Sequence, residues 1–340
     1  MHHFPYKRRL RIGIILAGIC MLFSACTLPA FSSAPSSSVS DDGLELSPAP
    51  TASGVSSPIA VMDALGREIL FDEMPSRVVA LMGSFGEVWL NAGGALIGIT
   101  SDAAEQRTFA LPDGIATVGS VHEPNLELVL ALEPDFVILS ADLTAHQQLA
   151  QTLEQADVPY GLFHMEFFDD YLQLLENFTN LTGRKDLYEK NGLDVKARID
   201  DILAAAGDRF AGRTVLFVRA YSTSSKAKGE DVMAGAMLCD FGLENIVSKH
   251  ESLLDTLSME AIIAEDPDYI FVTTMGSDAA ALDYFSETYE SNPAWAGLSA
   301  VKNGRFFLLP KDLFHYKPNA RWADSYQYLL DLLEGSLPDA

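Results

Sequence analysis

Basic residues are scarce: 23 Lys and Arg stand against 47 Asp and Glu, a formal net charge of −24. Nucleic acid and anionic lipid surfaces are therefore poor partners for this chain. Cysteine is scarcer, with Cys20, Cys26 and Cys239 the only three in 340 residues. After Cys26 only Cys239 remains, so an intramolecular disulfide is excluded and stability must come from a packed core, which about 280 residues can supply. P-loop, H-E-x-x-H and paired-cysteine signatures are absent. Glycine two residues before Ser84 would suggest a hydrolase nucleophile elbow, but Met82 stands there. A zinc or manganese carrier needs several converging His and carboxylate ligands, and the five histidines after Cys26 are scattered. The apolar run Ile12 to Phe23 has 12 residues, short of the roughly 20 that span a bilayer, and no longer run follows Cys26. A channel or permease is thereby excluded.

What is present begins with Lys7, Arg8, Arg9 and Arg11 ahead of that apolar run, which ends in Ser24-Ala25-Cys26. This is the pattern of a signal peptide over residues 1–25 with a small-residue cleavage site. Small residues directly before Cys26 resemble the bacterial lipoprotein signal, in which the cysteine is acylated and becomes the first mature residue. Phe23 stands where leucine is usual, and ordinary secretion is the alternative. Residues 26–58 are rich in Ser, Pro, Ala and Thr and poor in large apolar side chains, so a lipid-anchored disordered tether is expected there. Removing residues 1–25, with four basic and no acidic side chains, takes the net charge to −28. The protein is thus expected outside the cytoplasm, anchored by lipid to the cytoplasmic membrane.

Residues 125–139 read NLELVLALEPDFVIL and residues 258–272 read SMEAIIAEDPDYIFV, 133 positions apart. In each copy a capping residue (Asn125, Ser258) precedes an apolar segment of about two turns, and proline stops that helix. The runs that follow, Phe136 to Leu139 and Tyr269 to Val272, are continuously apolar, as strands buried on both faces of a parallel sheet are. Further strand-like runs flank them: Arg77 to Leu81, Ala95 to Ile99, Tyr160 to Phe163, Thr214 to Val218 and Arg305 to Leu309. Asp169 to Leu181 and Arg184 to Ala206 are helical in pattern, and Gly192 weakens the second.

The expected fold is α/β: two similar α/β lobes with central, mostly parallel sheets, joined by a long helix, with a ligand cleft between the lobes. After the signal peptide (1–25) and tether (26–58), the expected boundaries are 59–168 for the first lobe, 169–207 for the helical connection and 208–340 for the second lobe. In such units helices start at the edge where strands end, which is also where ligands bind. Glu127 and Glu260, second in their helices, therefore stand near the cleft rim, one per lobe. The helix dipole alone favours a carboxylate there by about 0.3–1 kcal/mol.

Taken in order, these features resemble the substrate-binding lipoproteins of ABC importers, most of all those for ferric siderophores, haem and vitamin B12. The resemblance runs from Met62 to Leu333 through Pro75-Ser-Arg-Val-Val-Ala-Leu81, Val118-Gly119, Glu123-Pro-Asn-Leu-Glu127, Glu133-Pro-Asp135, Asp240-Phe-Gly-Leu-Glu-Asn-Ile246, Ser258-Met-Glu260, Asp266-Pro-Asp268, Asn292-Pro-Ala-Trp295 and Ala300-Val-Lys-Asn-Gly-Arg305. It implies a monomeric, non-enzymatic, extracytoplasmic binding component that captures an iron complex and delivers it to a permease dimer with its ATPase subunits. Glu127 and Glu260 would dock against permease arginines. The protein would carry no cofactor of its own, its ligand being an iron complex or another metal-containing macrocycle. Cobalamin is the alternative ligand, and a secreted lipoprotein enzyme the alternative of another class.

Candidate ligand contacts lie on loops after strands. Ser84 and Phe85 follow the first strand within a glycine-flanked turn. His122 lies on a loop that borders the cleft in the family and can supply an iron ligand in haem carriers, and His164, Met165 and Glu166 follow a further strand. In the second lobe the candidates are Arg219, Tyr221 and Met275, then the basic and aromatic cluster of His315, Tyr316, Lys317, Arg321 and Trp322. Aromatic faces with cations suit a flat anionic ligand; the cluster's aromatics also suit a core, and Tyr221 with Tyr316 could hold bare ferric ion.

Overall fold

The computed structural model describes residues 58–105 and 109–335, so the expected signal peptide, Cys26 and all of the tether but Pro58 lie outside the described residues. A hairpin of β1 (Ile59–Met62) and β2 (Glu68–Phe71) comes first. It is pinned to the first lobe by Asp63, whose carboxylate accepts from Leu162 N at 3.3 Å, and by Arg67, which donates to Tyr160 Oη at 2.6 Å.

Five parallel strands follow, β3 (Val78–Ala80), β4 (Leu96–Ile99), β5 (Ala116–Thr117), β6 (Phe136–Ser140) and β7 (Tyr160–Phe163), in the order β5-β4-β3-β6-β7. The second sheet holds β8 (Thr214–Tyr221), β9 (Ser224–Ala227), β10 (Glu244–Asn245), β11 (Tyr269–Thr274) and β12 (Phe306–Leu308). Its parallel order is β10-β8-β11-β12, with β9 antiparallel on β8. The order β4-β3-β6-β7 is thus repeated, and the expected class of two similar α/β lobes is borne out.

The twice-written motif forms the same unit in both lobes. Helices Leu126–Ala131 and Met259–Glu265 are capped by the side chains of Asn125 and Ser258. Glu133 (φ 48°) and Asp266 (φ 40°), each just before the proline, take the left-handed conformation that turns the chain out of the helix. The aspartate after the proline then sets the neighbouring strand. Asp135 accepts from Ser76 N at 2.7 Å and Arg77 N at 2.8 Å at the entrance to β3. Asp268 accepts from Thr214 N at 3.0 Å at the entrance to β8, and from Arg213 Nη1 at 3.0 Å.

Apolar side chains alternate between layers along the strands. Val78, Ala80, Phe136 and Ile138 of the first sheet share one cluster with Val215, Phe217, Tyr269 and Phe271 of the second. The alternate residues Val79, Leu81, Val137 and Leu139 enter an outer cluster of the first lobe, and Leu216, Val218, Ile270 and Val272 one of the second. Between the sheets the connection is helical, as the patterns over Asp169 to Leu181 and Arg184 to Ala206 indicate, but it is broken rather than one long helix. Helix Phe168–Thr182 ends at Gly183 (φ 70°), and the return runs as Lys185–Tyr188, a π-helical turn Glu189–Leu193 and helix Asp194–Ala206. Gly192 lies in that turn, where a Cβ would come within 3.1 Å of Leu172 and 3.2 Å of Leu175. The glycine permits close packing of the two helices at the price of regular helix geometry. Helix Trp322–Glu334 closes the layer, with Arg198 donating to Asp324 at 2.9 Å. Among the described residues no helix is long and apolar enough to cross a membrane.

Burial alone would raise the Asp268 pKa, but hydrogen bonds from Thr214 N and Arg213 outweigh it and hold the carboxyl below its ordinary value of 3.8. Its stabilising contribution is therefore complete above that ordinary value and is lost as pH falls through the depressed one. D268A is expected to cost about 1–3 kcal/mol at neutral pH, since it leaves strand-entrance donors without their acceptor. Urea denaturation at pH 7 and in acid, where the difference should shrink, checks both points.

Candidate functional site

In the first lobe the strand ends are knitted together by side chains. Asp102 accepts from Gly83 N at 2.8 Å and Thr100 Oγ1 at 2.6 Å, joining the loops after β3 and β4. Ser84 and Phe85, expected to touch ligand, are 3% and 2% exposed. They open helix Gly83–Asn91, where Phe85, Val88 and Trp89 recur at helical spacing on a core-facing stripe. Asn319 (φ 52°), wholly buried, lies over this turn, donating to Ser84 O at 3.1 Å and Glu87 Oε2 at 2.8 Å.

His122 is exposed on the loop closed by the Gly119–Pro124 bridge. That loop is held by a residue that sequence reasoning missed. His146, fully buried, accepts from Ser140 N at Nδ1 (2.9 Å) and donates from Nε2 to Val121 O (2.8 Å). Burial pushes its pKa down, which favours the neutral ring these two bonds require. The available signal was a histidine on the apolar stripe His146, Leu149, Ala150, Leu153 of helix Thr144–Gln155. Beyond β7, His164 donates to Asp142 at 2.8 Å and stands 3.8 Å from Asp170. A pocket of about 290 Å³ beside it is lined by the hairpin, the end of β7 and helix Phe168–Thr182, with Asp63, His164, Asp170 and Gln173 among its residues.

In the second lobe Arg219 continues the inward side of β8 after Val215 and Phe217, and Tyr221 follows on the same side. Thr273 of β11 is in register with Arg219. Arg219 Nε, Thr273 Oγ1 and His315 Nδ1 are buried without a hydrogen-bond partner, an arrangement that calls for a ligand or water. Burial, then Arg219, Lys311 and Lys317, push the His315 imidazole down to about 4, so it is neutral at physiological pH. Its ring lies 5.0 Å from that of Tyr316, and Lys311 Nζ is 5.9 Å from the Tyr316 ring. Lys311 is neutralised by Asp278 at 2.7 Å. Lys317, 14% exposed, pairs with Glu166 of the first lobe at 2.5 Å.

The fold thus gathers Arg219, His315, Tyr316 and Lys317, candidates up to 98 positions apart in the chain. Arg321 is instead engaged by Asp312 at 3.0 Å, and Trp322, 1% exposed, packs into the core 5.7 Å from the Phe168 ring. Met275 is 40% exposed at the end of β11. His122 stands on the opposite lobe, and among the described residues no three His, Cys, Asp or Glu converge as a metal-binding group. Glu127 and Glu260 are exposed in the first turns of their helices, without a partner among the described residues.

The profile of the periplasmic binding protein family matches residues 79–313, more than half of the chain. The putative ABC transporter substrate-binding lipoprotein YhfQ of Bacillus subtilis (strain 168) is 23% identical over 299 residues, 83% of this chain and 89% of that protein. The Fe(3+)-citrate-binding protein YfmC of the same organism is 25% identical over 244 residues, 70% of this chain and 74% of its own. Among solved structures, the iron uptake ABC transporter substrate-binding protein PiuA from Streptococcus pneumoniae matches with a TM-score of 0.64 at 17% identity, covering 84% of this chain and 100% of that one. That likeness is one of fold.

The hydrogen bond that His164 donates to Asp142 holds the His164 pKa above its ordinary value, against the effect of burial. A raised folded-state pKa gives stabilisation that is full below the unfolded value of about 6.5 and is lost as pH rises through the folded one. In D142N the His164 titration, followed by NMR of the ring protons, is expected to move to lower pH, with the stability advantage in acid reduced.

Proposed function

The chain belongs to the periplasmic binding protein family, and on that premise we propose that it is the extracytoplasmic substrate-binding component of an ABC importer, capturing an iron complex and handing it to the membrane permease. The observation that carries this reading is the cationic cluster of Arg219 and Lys317 around neutral His315, with buried polar atoms still lacking partners at the strand ends of the second sheet. Support for iron as the cargo comes from relatives named for iron uptake and ferric citrate. The metal arrives as cargo within its chelate. Arg219 is the proposed anchor for the complex's anionic group, with Tyr316 and Tyr221 beside it and His122 reaching from the first-lobe loop. His315 is a neutral hydrogen-bond partner here.

Glu127 and Glu260 are proposed to dock on the paired permease subunits. Their support is the matched position at two capped helix starts, exposed and unpartnered, with Leu128 (46% exposed) and Ile263 (45% exposed) on the same helices. Lipid anchoring through Cys26 belongs to the same proposal.

Titration of the purified chain with ferric citrate, a ferric catecholate, haem and cobalamin, read by tryptophan fluorescence, tests the cargo. At least one ferric complex is expected to bind, and R219A to weaken it by roughly 10- to 150-fold, the range for a lost charge-assisted hydrogen bond. Binding of cobalamin alone would favour the corrinoid alternative, and silence throughout would sink the iron-carrier function and point to another small organic ligand. The double variant E127A/E260A is expected to abolish uptake in cells while leaving ligand affinity unchanged. Normal uptake would remove the docking role.

A further inference from the structure

Glu166 leaves the first lobe just after β7 and ends in the second. One carboxylate oxygen accepts the backbone N–H of Met233 at 2.8 Å, and the other accepts from Lys317 Nζ at 2.5 Å. Met233 opens helix Met233–Asp240, so the first oxygen sits where a helix start favours negative charge. The second neutralises a lysine that lies within electrostatic reach of Arg219 and whose side chain is 14% exposed. A cation and a helix-start N–H, beside Arg219 Nε and His315 Nδ1, which are buried without a hydrogen-bond partner, are the kinds of group that bind a ligand carboxylate. At Lys317 the carboxylate in place is the protein's own. Lys311, by contrast, draws its counter-charge from Asp278 of its own lobe.

Resting on the carrier function above, we propose that Glu166 is a charge-selecting residue, a built-in surrogate carboxylate that occupies the Lys317 end of the cationic cluster. Arg219, with Lys226 in register beside it on β9, is left to receive the cargo. The site therefore favours complexes that present one carboxylate or similarly charged group to Arg219, and it discriminates against polycarboxylates that would also claim Lys317. The ion pair also ties the lobes, but a tie alone gives no reason for anion affinity to rise when its charge is removed. Glutamine at this position keeps a carbonyl acceptor and nearly the same shape while deleting the competing charge.

Citrate without iron is a suitable probe, because it is a tricarboxylate that tests the cluster whatever the natural cargo. Calorimetric titration and thermal stabilisation by citrate would be compared for the full chain, E166Q and E166Q/K317M, each checked for folding by circular dichroism. E166Q is expected to bind citrate roughly 10-fold or more tightly than the unsubstituted chain, the scale of one charge-assisted contact, and K317M to remove that gain. Equal or weaker citrate binding by folded E166Q, or a gain that survives K317M, overturns the proposal. Should E166Q fail to fold, E166D withdraws the charge by one methylene; an intermediate gain is expected, and no gain overturns the idea. Failure of every ferric complex to bind the unsubstituted chain would refute the iron-carrier function and leave the citrate outcome to be read independently.

Discussion

The inner faces of both sheets meet the bridging helices in one continuous apolar layer, where Phe136 and Ile138 belong to the same packed cluster as Phe217 and Phe271. Burying each such side chain is worth about 1.5–3 kcal/mol, so wide separation of the lobes would expose more apolar surface than a ligand contact or two could offset. The strand ends proposed as the binding edge are therefore held at nearly fixed spacing. Asn319 on Ser84 and Glu166 on Met233 add polar ties across the molecule. Small rocking is the motion this packing permits.

On that fixed frame the charges become informative. The protein is strongly acidic, yet Arg219, Lys226, Lys311 and Lys317 collect at one end of the second sheet. Burial, then repulsion from Arg219, Lys311 and Lys317, keeps His315 neutral, and two of the lysines are offset by Asp278 and Glu166. Arg219 retains a buried Nε with no partner, the feature that most sets this residue apart from the surrounding ion pairs. Across the cleft His146 performs a quieter task, holding two loops through a single uncharged ring.

Much of the fold could be read from the chain because its signals are local. Asparagine or serine caps, a proline stop and a run of apolar residues buried on both faces all act within about 15 residues, and the structure repeats them as written. The family assignment, drawn from the order of such pieces, is borne out. Strands β5, β9 and β10 carried no signal because their residues form no continuous apolar run, unlike the equally short β3 and β12. Within the site, Arg219 and Lys317 were visible as cations after strands in an acidic chain. Phe85 and Trp322 looked the same as ligand-facing aromatics, since local pattern does not distinguish a ring turned to the core from one turned to a cleft. The contacts made by Asn319 and Glu166 were invisible for a simpler reason: their partners lie 235 and 151 positions away for Ser84 and Lys317 respectively.

The paired aspartate clamps have a consequence for how the chain finds this arrangement. Asp135 closes a span of 59 residues onto Ser76, and Asp268 one of 54 residues onto Thr214. Loop-closure entropy grows only with the logarithm of length, so these two closures differ by less than about 0.1 kcal/mol. Neither lobe has a head start from chain length. Each aligns its first and fourth strands in chain order against the same entropic resistance, and any difference in their order of folding must come from side chains.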